Sequence, residues 1–382
     1  MDKQREKMRG GIRRSGRGRY EIRISKRNAE TGSREQYQEF FKGTRLQAEG
    51  RRAELIHDLN TGAFMKPGST TLADYLERWI KDYARPKLSP KSAEWYEYLI
   101  TQHLIPGLGQ LKLNQVKPEH LERYYADKLA TGRCDGRGGL SAQSIRHHYT
   151  ALHSAFETAR QWGLLRFNPC DNAKPPTPGR HEMQTWDKVE IESFLEAAME
   201  TEYYPLFFLA LYTGMRRSEL LALRWQDVDL TLGQIYVSRS LQHLQDGKTV
   251  IREPKTARSR RTVALPPSAS IVLREHRLNY AQVDNAGYVF CHADGSPLLP
   301  NSVSHGWLKL VRKTGLKPIR LHDARHSHAS LLLKQGIHPK VVQERLGHSS
   351  IGITLDTYSH VAPGMQEAAA ASFDALFQTS KN

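Results

Sequence analysis

Cysteine is scarce: the 382 residues hold only Cys134, Cys170 and Cys291, far apart along the chain. So few and so scattered, they exclude a disulfide framework and a cysteine-rich zinc site, and they fit a reducing cytosol. Long apolar runs are missing too. The best stretch, Tyr204 to Thr213, falls well short of the roughly 18 residues that a membrane span needs. The N-terminus is basic but has no apolar segment of the secretory kind. Acidic side chains are few, 40 against 56 Lys and Arg, which leaves a formal net charge of +16. Such a surplus argues for a polyanionic partner, because neutralising phosphates releases condensed counterions. An anionic membrane surface would also suit it, so charge alone does not decide. No repeat of fixed period is visible.

What is present divides into blocks. Residues 1 to about 20 are rich in Arg and Gly, with Arg13, Arg14, Arg17 and Arg19. They read as a flexible positive arm for DNA phosphates, or more blandly as a solvated tail. Tyr20, Ile22 and Ile24 alternate with Glu21, Arg23 and Ser25, which predicts a strand with Arg23 facing outward. A second strand follows at Gln36 to Phe41. Thr44 with Gln47 three residues later predicts a capped helix reaching about Asn60. Lys66 to Ser69 reads as a linker.

A helical block comes next. Leu72, Tyr75, Leu76 and Trp79 form one apolar stripe. Trp95, Leu99 and Leu104 suggest a second helix, ended by Pro106-Gly107. Leu121, Tyr124, Tyr125 and Leu129 mark a third, and Ser141 caps a fourth that carries Ile145, Tyr149, Leu152, Phe156 and Trp162. These aromatics read as core rather than base-stacking platforms. Lys87, Lys91, Arg146, His147 and His148 read as phosphate contacts. Pro175, Pro176 and Pro178 make a stiff linker. The expected boundaries are an N-terminal domain at 1–65, a helical domain at 69–170, a linker at 171–180 and a C-terminal domain at 181–382.

Four segments of the last block carry chemistry. In Thr213-Gly214-Met215-Arg216, Arg216 stands at a helix start where an anion is welcome, and Glu219 shares its face. Arg217 is its neighbour. Pro254-Lys255-Thr256, with Arg258, Arg260 and Arg261, lies between two predicted strands, Thr249 to Arg252 and Arg261 to Leu265, as a hairpin tip that could deliver a lysine or simply grip DNA backbone. In Leu321-His322-Asp323-Ala324-Arg325-His326, His322 and Arg325 share a face. His322 and His326 also have zinc-ligand spacing, but the glutamate of a zincin is absent. Leu346-Gly347-His348 is followed ten residues later by Tyr358 between small polar residues, which suggests an exposed hydroxyl.

Singly these signals are weak. Together, in this order, they resemble the conserved boxes of the tyrosine recombinases, the integrases of phages and conjugative elements, over essentially the whole chain. The resemblance implies a multidomain, mostly α protein with small β-sheets: a sheet-plus-helix arm-binding domain, a four-helix core-binding domain and a mixed α+β catalytic domain. It implies Arg216, Lys255, His322, Arg325, His348 and Tyr358 as catalytic residues, with Glu219 in support. Lys248 is a rival to Lys255, and the Pro-Lys-Thr form selects Lys255. It further implies a 3′-phosphotyrosine intermediate, no metal or cofactor, and double-stranded DNA with core-type and arm-type sites as partner. Self-association into a tetramer on DNA follows, with an excisionase or a host DNA-bending protein as accessory. The place of action would be the bacterial cytoplasm, on DNA. A last amphipathic stretch, with Met365, Phe373 and Phe377, would dock on its own domain or on a neighbouring protomer.

The chemistry suits these residue types. A phosphodiester builds negative charge when attacked, and guanidinium groups stay charged and donate paired hydrogen bonds. Two other readings share much of the pattern. A DNA-binding regulator would share the charge and small domains but has no need of the six catalytic residues. A type IB topoisomerase would share the tyrosine chemistry but has no need of an arm domain.

Overall fold

The computed structural model describes residues 9–27, 34–61, 70–179, 183–253, 260–279 and 284–358, with short pieces beyond residue 369. It divides into two compact units, Met1–Gly179 and Arg180–Asn382.

The first unit opens with a three-stranded antiparallel sheet, β1 (Arg9–Gly16), β2 (Arg19–Arg27) and β3 (Arg34–Lys42), in the order β1-β2-β3. Helix α1 (Arg45–Thr61) packs on it. Thr44 and Gln47 form the expected reciprocal cap: Thr44 N donates to Gln47 Oε1 at 2.9 Å and Gln47 N to Thr44 Oγ1 at 3.3 Å. Ile22, Ile24 and Leu55 make the small core, joined by Ile12, Tyr37 and Phe41. The flexible-arm reading of residues 1 to about 20 is corrected from residue 9 onward, because Arg9–Gly16 is a paired strand; residues 1–8 lie outside the described residues. Ile12 is its only inward apolar side chain, so the Arg-Gly composition hides the alternation. Arg13, Arg14, Arg17, Arg19 and Arg23 are all exposed. Glu21 is buried beneath Arg23 and Gln38, which both donate to its carboxylate.

The helical part is α2 (Leu72–Trp79), α3 (Pro90–Leu99), α4 (Pro118–Thr131) and α5 (Ala142–Gln161). Trp79, Tyr75, Phe156, Leu152 and Tyr125 are buried in one cluster. Two wide π turns extend this pattern, Ile80–Ala84 after α2 and Ile100–Leu104 after α3. Each ends two residues before a proline, Pro86 or Pro106. In each, the next residue's N–H reaches back five residues, Arg85 to Ile80 O and Ile105 to Ile100 O. Proline cannot donate to the usual ladder and clashes with the carbonyl four residues back, and the widened turn shifts that ladder. The second helix therefore does not stop at Pro106-Gly107 but runs on through Ile105–Leu108. Trp95, Leu129 and Trp162 are more exposed than a core reading implies, at 36%, 40% and 37%. His148 is not a phosphate contact: it is buried, with Nδ1 2.9 Å from the Tyr124 hydroxyl. Lys87 lies over the Tyr83 ring, Lys91 pairs with Glu94, and Arg146 and His147 are exposed.

The second unit holds α6 (Lys188–Ala198), α7 (Tyr204–Thr213) and α8 (Arg217–Leu220). Strands β4 (Val228–Asp229), β5 (Gln234–Val237), β6 (Ser240–His243), β7 (Thr249–Arg252) and β8 (Arg261–Ala264) follow. Helices α9 (Pro267–Leu278), α10 (Pro300–Thr314), α11 (Leu321–Lys334), α12 (Pro339–Leu346) and α13 (Ile351–Tyr358) complete it. The core gathers Trp186, Phe194, Phe207 and Trp307 with Ile235, Val237 and Val263 from the sheet. The strands form a sheet β4-β5-β8 and a ribbon β6-β7. The hairpin-tip reading of the Lys255 segment is corrected by this order. β7 pairs with β6 and β8 with β5, so the strands flanking this segment are not each other's partners, and residues 254–259 themselves lie outside the described residues. No helix among the described residues is long and apolar enough to cross a membrane.

Candidate active site

Helix α7 is apolar on nearly every side and ends at Gly214, whose φ of +65° is the left-handed conformation that favours glycine. The chain then turns straight into α8. Arg216 sits at the junction, half-buried, and Glu219 is buried one turn on. The Glu219 carboxylate takes the Arg216 backbone N–H at 2.8 Å and its guanidinium at 2.8 Å. Arg217 turns away, to Pro300 O and the Ser304 hydroxyl.

Arg261, the last arginine of the basic segment and the first residue of β8, is 8% exposed and clamps the same Glu219 with two bonds of 3.0 and 2.8 Å. Its place was legible. In β8 the alternation puts Arg261 on the inward face with Val263. Burial pushes the Glu219 carboxyl up, but the Arg261 bonds and charge and then the Arg216 charge outweigh it and hold the group at about 2.

The cations then meet at the end of α12. Gly347 closes that helix with φ +68°, and its N–H and that of His348 return to Gln343 O at 2.9 and 3.1 Å. The three carbonyls that follow would lack helical partners. Each takes one arginine: Arg345 O accepts from Arg261 Nε at 2.8 Å, Leu346 O from Arg325 at 2.6 Å, and Gly347 O from Arg216 at 3.2 Å. Arg325, 3% exposed, also donates to Gly214 O at 2.8 Å. Thus Arg216 and Arg325, distant in sequence, are tied to adjacent peptide groups. The partial negative charge of a helix C-terminus offsets their mutual repulsion.

The histidines surround this platform. His348 has Nδ1 2.9 Å from Thr354 Oγ1 of α13, and its carbonyl accepts from Gln343 at 2.7 Å. Burial, then the charges of Arg325 and Arg216, press its pKa down to about 4. His322 is exposed on its outer side by surface area, yet desolvation by the surrounding protein, then the Arg325 charge, lowers its pKa. The His348 imidazole is therefore neutral at pH 7, and the same causes favour the neutral form of His322. His322 and His326 have ring centroids 5.3 Å apart, and no group of three metal-type ligands occurs among the described residues. Beside His348 a cleft opens between Arg260, Arg261, Lys340 and Ser349. Arg260 pairs with Glu253.

Tyr358 is the last residue of α13; its side chain lies outside the described residues. So do Lys255, Arg258 and most of the C-terminal amphipathic stretch. Lys248 stands in the β6–β7 turn, paired with Asp246 at 2.8 Å. Phe373 and Phe377 are exposed and in ring contact.

Residues 184–365 match the Phage integrase family, and residues 71–129 match the N-terminal SAM-like domain of phage integrases. A tyrosine recombinase XerC-like protein of Caldanaerobacter subterraneus subsp. tengcongensis is 29% identical over 365 residues, 89% of this chain and 92% of that protein. The ICEBs1 integrase of Bacillus subtilis is 30% identical over 290 residues, 73% of this chain and 76% of the relative. Among solved structures, the Tn1549 transposon integrase in complex with a circular intermediate DNA aligns with a TM-score of 0.68 at 24% identity, over 81% of this chain and 100% of that one. A lambda integrase tetramer bound to a Holliday junction aligns with a TM-score of 0.57 at 19% identity, over 89% and 92%. At these identities the structural likeness is one of fold. The sequence relatives carry the assignment further: this chain belongs to the phage integrase family of tyrosine recombinases and is an enzyme of site-specific DNA recombination.

Proposed function

We propose that the enzyme cuts and rejoins double-stranded DNA through a covalent 3′-phosphotyrosine bond to Tyr358, and so integrates and excises a mobile element. The observation that carries this reading is the pair of guanidiniums, Arg216 and Arg325, held on the consecutive carbonyls of Leu346 and Gly347 next to His348.

Arg216 and Arg325 bind the non-bridging oxygens of the scissile phosphate and stabilise the charge that grows there. Two fixed cations supply the charge that a metal ion supplies in other phosphoryl transfers. His348, with Nδ1 engaged by Thr354, offers its other ring nitrogen as a donor to one of these oxygens. The Tyr358 hydroxyl has an ordinary pKa near 10 and is poorly ionised at neutral pH. Neutral His322 accepts its proton as the phenolic oxygen bonds to phosphorus. The bond to the 5′-oxygen breaks, and Lys255 supplies the proton that this leaving group needs. The 5′-hydroxyl of another strand then displaces the tyrosine in the reverse sense. One phosphodiester is lost and one regained, so no ATP is consumed.

Exposed Arg13, Arg14, Arg17, Arg19 and Arg23 of the N-terminal sheet fit arm-type DNA. Lys87, Lys91 and Arg146 fit core-type DNA, as do Arg258 and Arg260 of the catalytic unit. The lambda integrase tetramer on a Holliday junction supports four protomers acting together, with an excisionase or host bending protein setting direction.

The test begins with a core site selected by covalent capture from randomised duplexes. A nicked suicide duplex carrying it should give a denaturant-resistant adduct with the wild type, in EDTA as well as without it. Tyr358→Phe should give none. An adduct that survives Tyr358→Phe overturns the nucleophile assignment.

A further inference from the structure

We propose that His328 and Arg345 form a positioning pair, which fixes the carbonyl platform that aims Arg216 and Arg325 at the scissile phosphate. The proposal rests on the assignment of those two arginines given above.

His328 lies on α11 three residues beyond Arg325, so both project from one face. Its Nδ1 is 3.0 Å from Leu211 O, near the end of α7. A carbonyl only accepts, so Nδ1 carries the hydrogen. Its Nε2 is 3.0 Å from Arg345 Nε. A guanidinium only donates, so Nε2 is the bare lone pair. The two neighbours dictate a single neutral tautomer. Burial, followed by the Arg345 charge, pushes the pKa of His328 far below the usual imidazole value, which keeps it in that form.

Arg345 spends the rest of its guanidinium inside the protein. It donates to Ala264 O at the end of β8 at 3.0 Å, and to Tyr212 O at 3.1 Å. Burial lowers its pKa, as expected of a cation partly withdrawn from water. A single side chain thus ties together α7, β8 and α11. Its own peptide carbonyl begins the platform, and the next two carbonyls hold Arg325 and Arg216. The junction has no slack. A Cβ on Gly214 would lie 2.6 Å from Leu346 Cδ2 and 2.9 Å from His328 Cδ2. A turn of the His328 ring would break its bond to Arg345 Nε, and Arg345 carries the first carbonyl of the platform that holds the two arginines.

A purely structural pair would lower stability and slow every substrate alike. A positioning pair acts through charge, and its effect should depend on charge in the substrate. The test measures single-turnover cleavage by full-length wild type, His328→Leu, His328→Gln and Arg345→Gln on two suicide duplexes. One has the natural scissile phosphodiester. The other has a methylphosphonate there, which lacks the non-bridging charge and so removes the demand for aimed guanidiniums. His328→Leu and Arg345→Gln should slow the phosphodiester on the order of tenfold to a hundredfold, with DNA affinity unchanged, and leave the methylphosphonate rate as in the wild type. His328→Gln, whose amide oxygen can accept from Arg345, should recover most of the loss. Equal losses on both duplexes, or no loss in a folded variant, overturn the proposal. If His328→Leu does not fold, Arg345→Gln decides by the same criterion. Arg325→Ala calibrates the pair of duplexes. If it fails to discriminate between them, the assignment of Arg325 has fallen instead.

Discussion

Glu219→Gln removes one negative charge and little volume, and it tests the electrostatics of the whole site. The carboxylate accepts from Arg216 through both backbone and side chain, and from Arg261 through two nitrogens. Its pKa of about 2 lies below an ordinary 4.5. That difference corresponds to about 3 kcal/mol of stability. Breaking one side of a buried ion pair gives a similar figure, about 3–5 kcal/mol. The folded pKa is depressed, so the contribution is complete above pH 4.5 and is lost as pH falls towards 2. Urea-dependent pulse proteolysis of the full chain, read on fragments from residues 180–382, follows the relevant unit. The variant should lose about 3 kcal/mol at pH 7 and nearly as much at pH 5, with the gap to wild type narrowing only below pH 4.5. A loss under about 1 kcal/mol, the worth of an ordinary hydrogen bond, would refute the reasoning. So would a gap that already narrows between pH 7 and 5.

Gly347→Ala places a Cβ 3.0 Å from Arg261 Cδ and 3.1 Å from its terminal nitrogen, at φ +68°. It should lower stability by about 1–2 kcal/mol for the left-handed backbone and cut adduct formation on the suicide duplex; full adduct yield would count against the carbonyl platform. Acid should loosen the catalytic unit through its histidines. His328 is held at about 3 by burial and then by Arg345, against an ordinary 6.5. The unfolded chain takes up that proton first, so stability from this group is complete above pH 6.5. It falls by about 1.4 kcal/mol per pH unit from there down towards 3. His326 and His348, both at about 4, act with the same sign. Urea midpoints read on the same fragments should drop between pH 6.5 and 4.5, and a flat profile would refute the neutral-histidine reading.

The parts of this site that could be read from sequence are those set by short spacings. Arg216 with Glu219, His322 with Arg325, and Gly347 before His348 each declare themselves within a helical turn or a cap. Secondary structure followed the same rule. The Thr44–Gln47 cap and the alternation of Ile235 and Val237 are local, and both are present. The strand Arg9–Gly16 escaped because one inward isoleucine is too little signal among arginines and glycines. The π turns escaped because a proline predicts that a helix ends, while here the preceding turn widens and the helix continues.

What sequence could not supply was the counter-charge. Arg261 lies in a basic segment, and Arg345 is one more basic residue in a chain with a surplus of them, yet both are tied into the protein. Their partners lie far along the chain: Glu219 for Arg261, and the carbonyls of Tyr212 and Ala264 for Arg345. A guanidinium used inside the fold and one reserved for DNA look alike until the acceptors are located. Location of acceptors also explains why the site can be cationic and still fold. Three arginines, Arg216, Arg261 and Arg325, converge where one carboxylate and the carbonyls at the end of α12 are turned towards them. On the proposed reading, DNA would add a phosphate to an arrangement already held in place, so little of its binding energy would be spent on assembling the clamp.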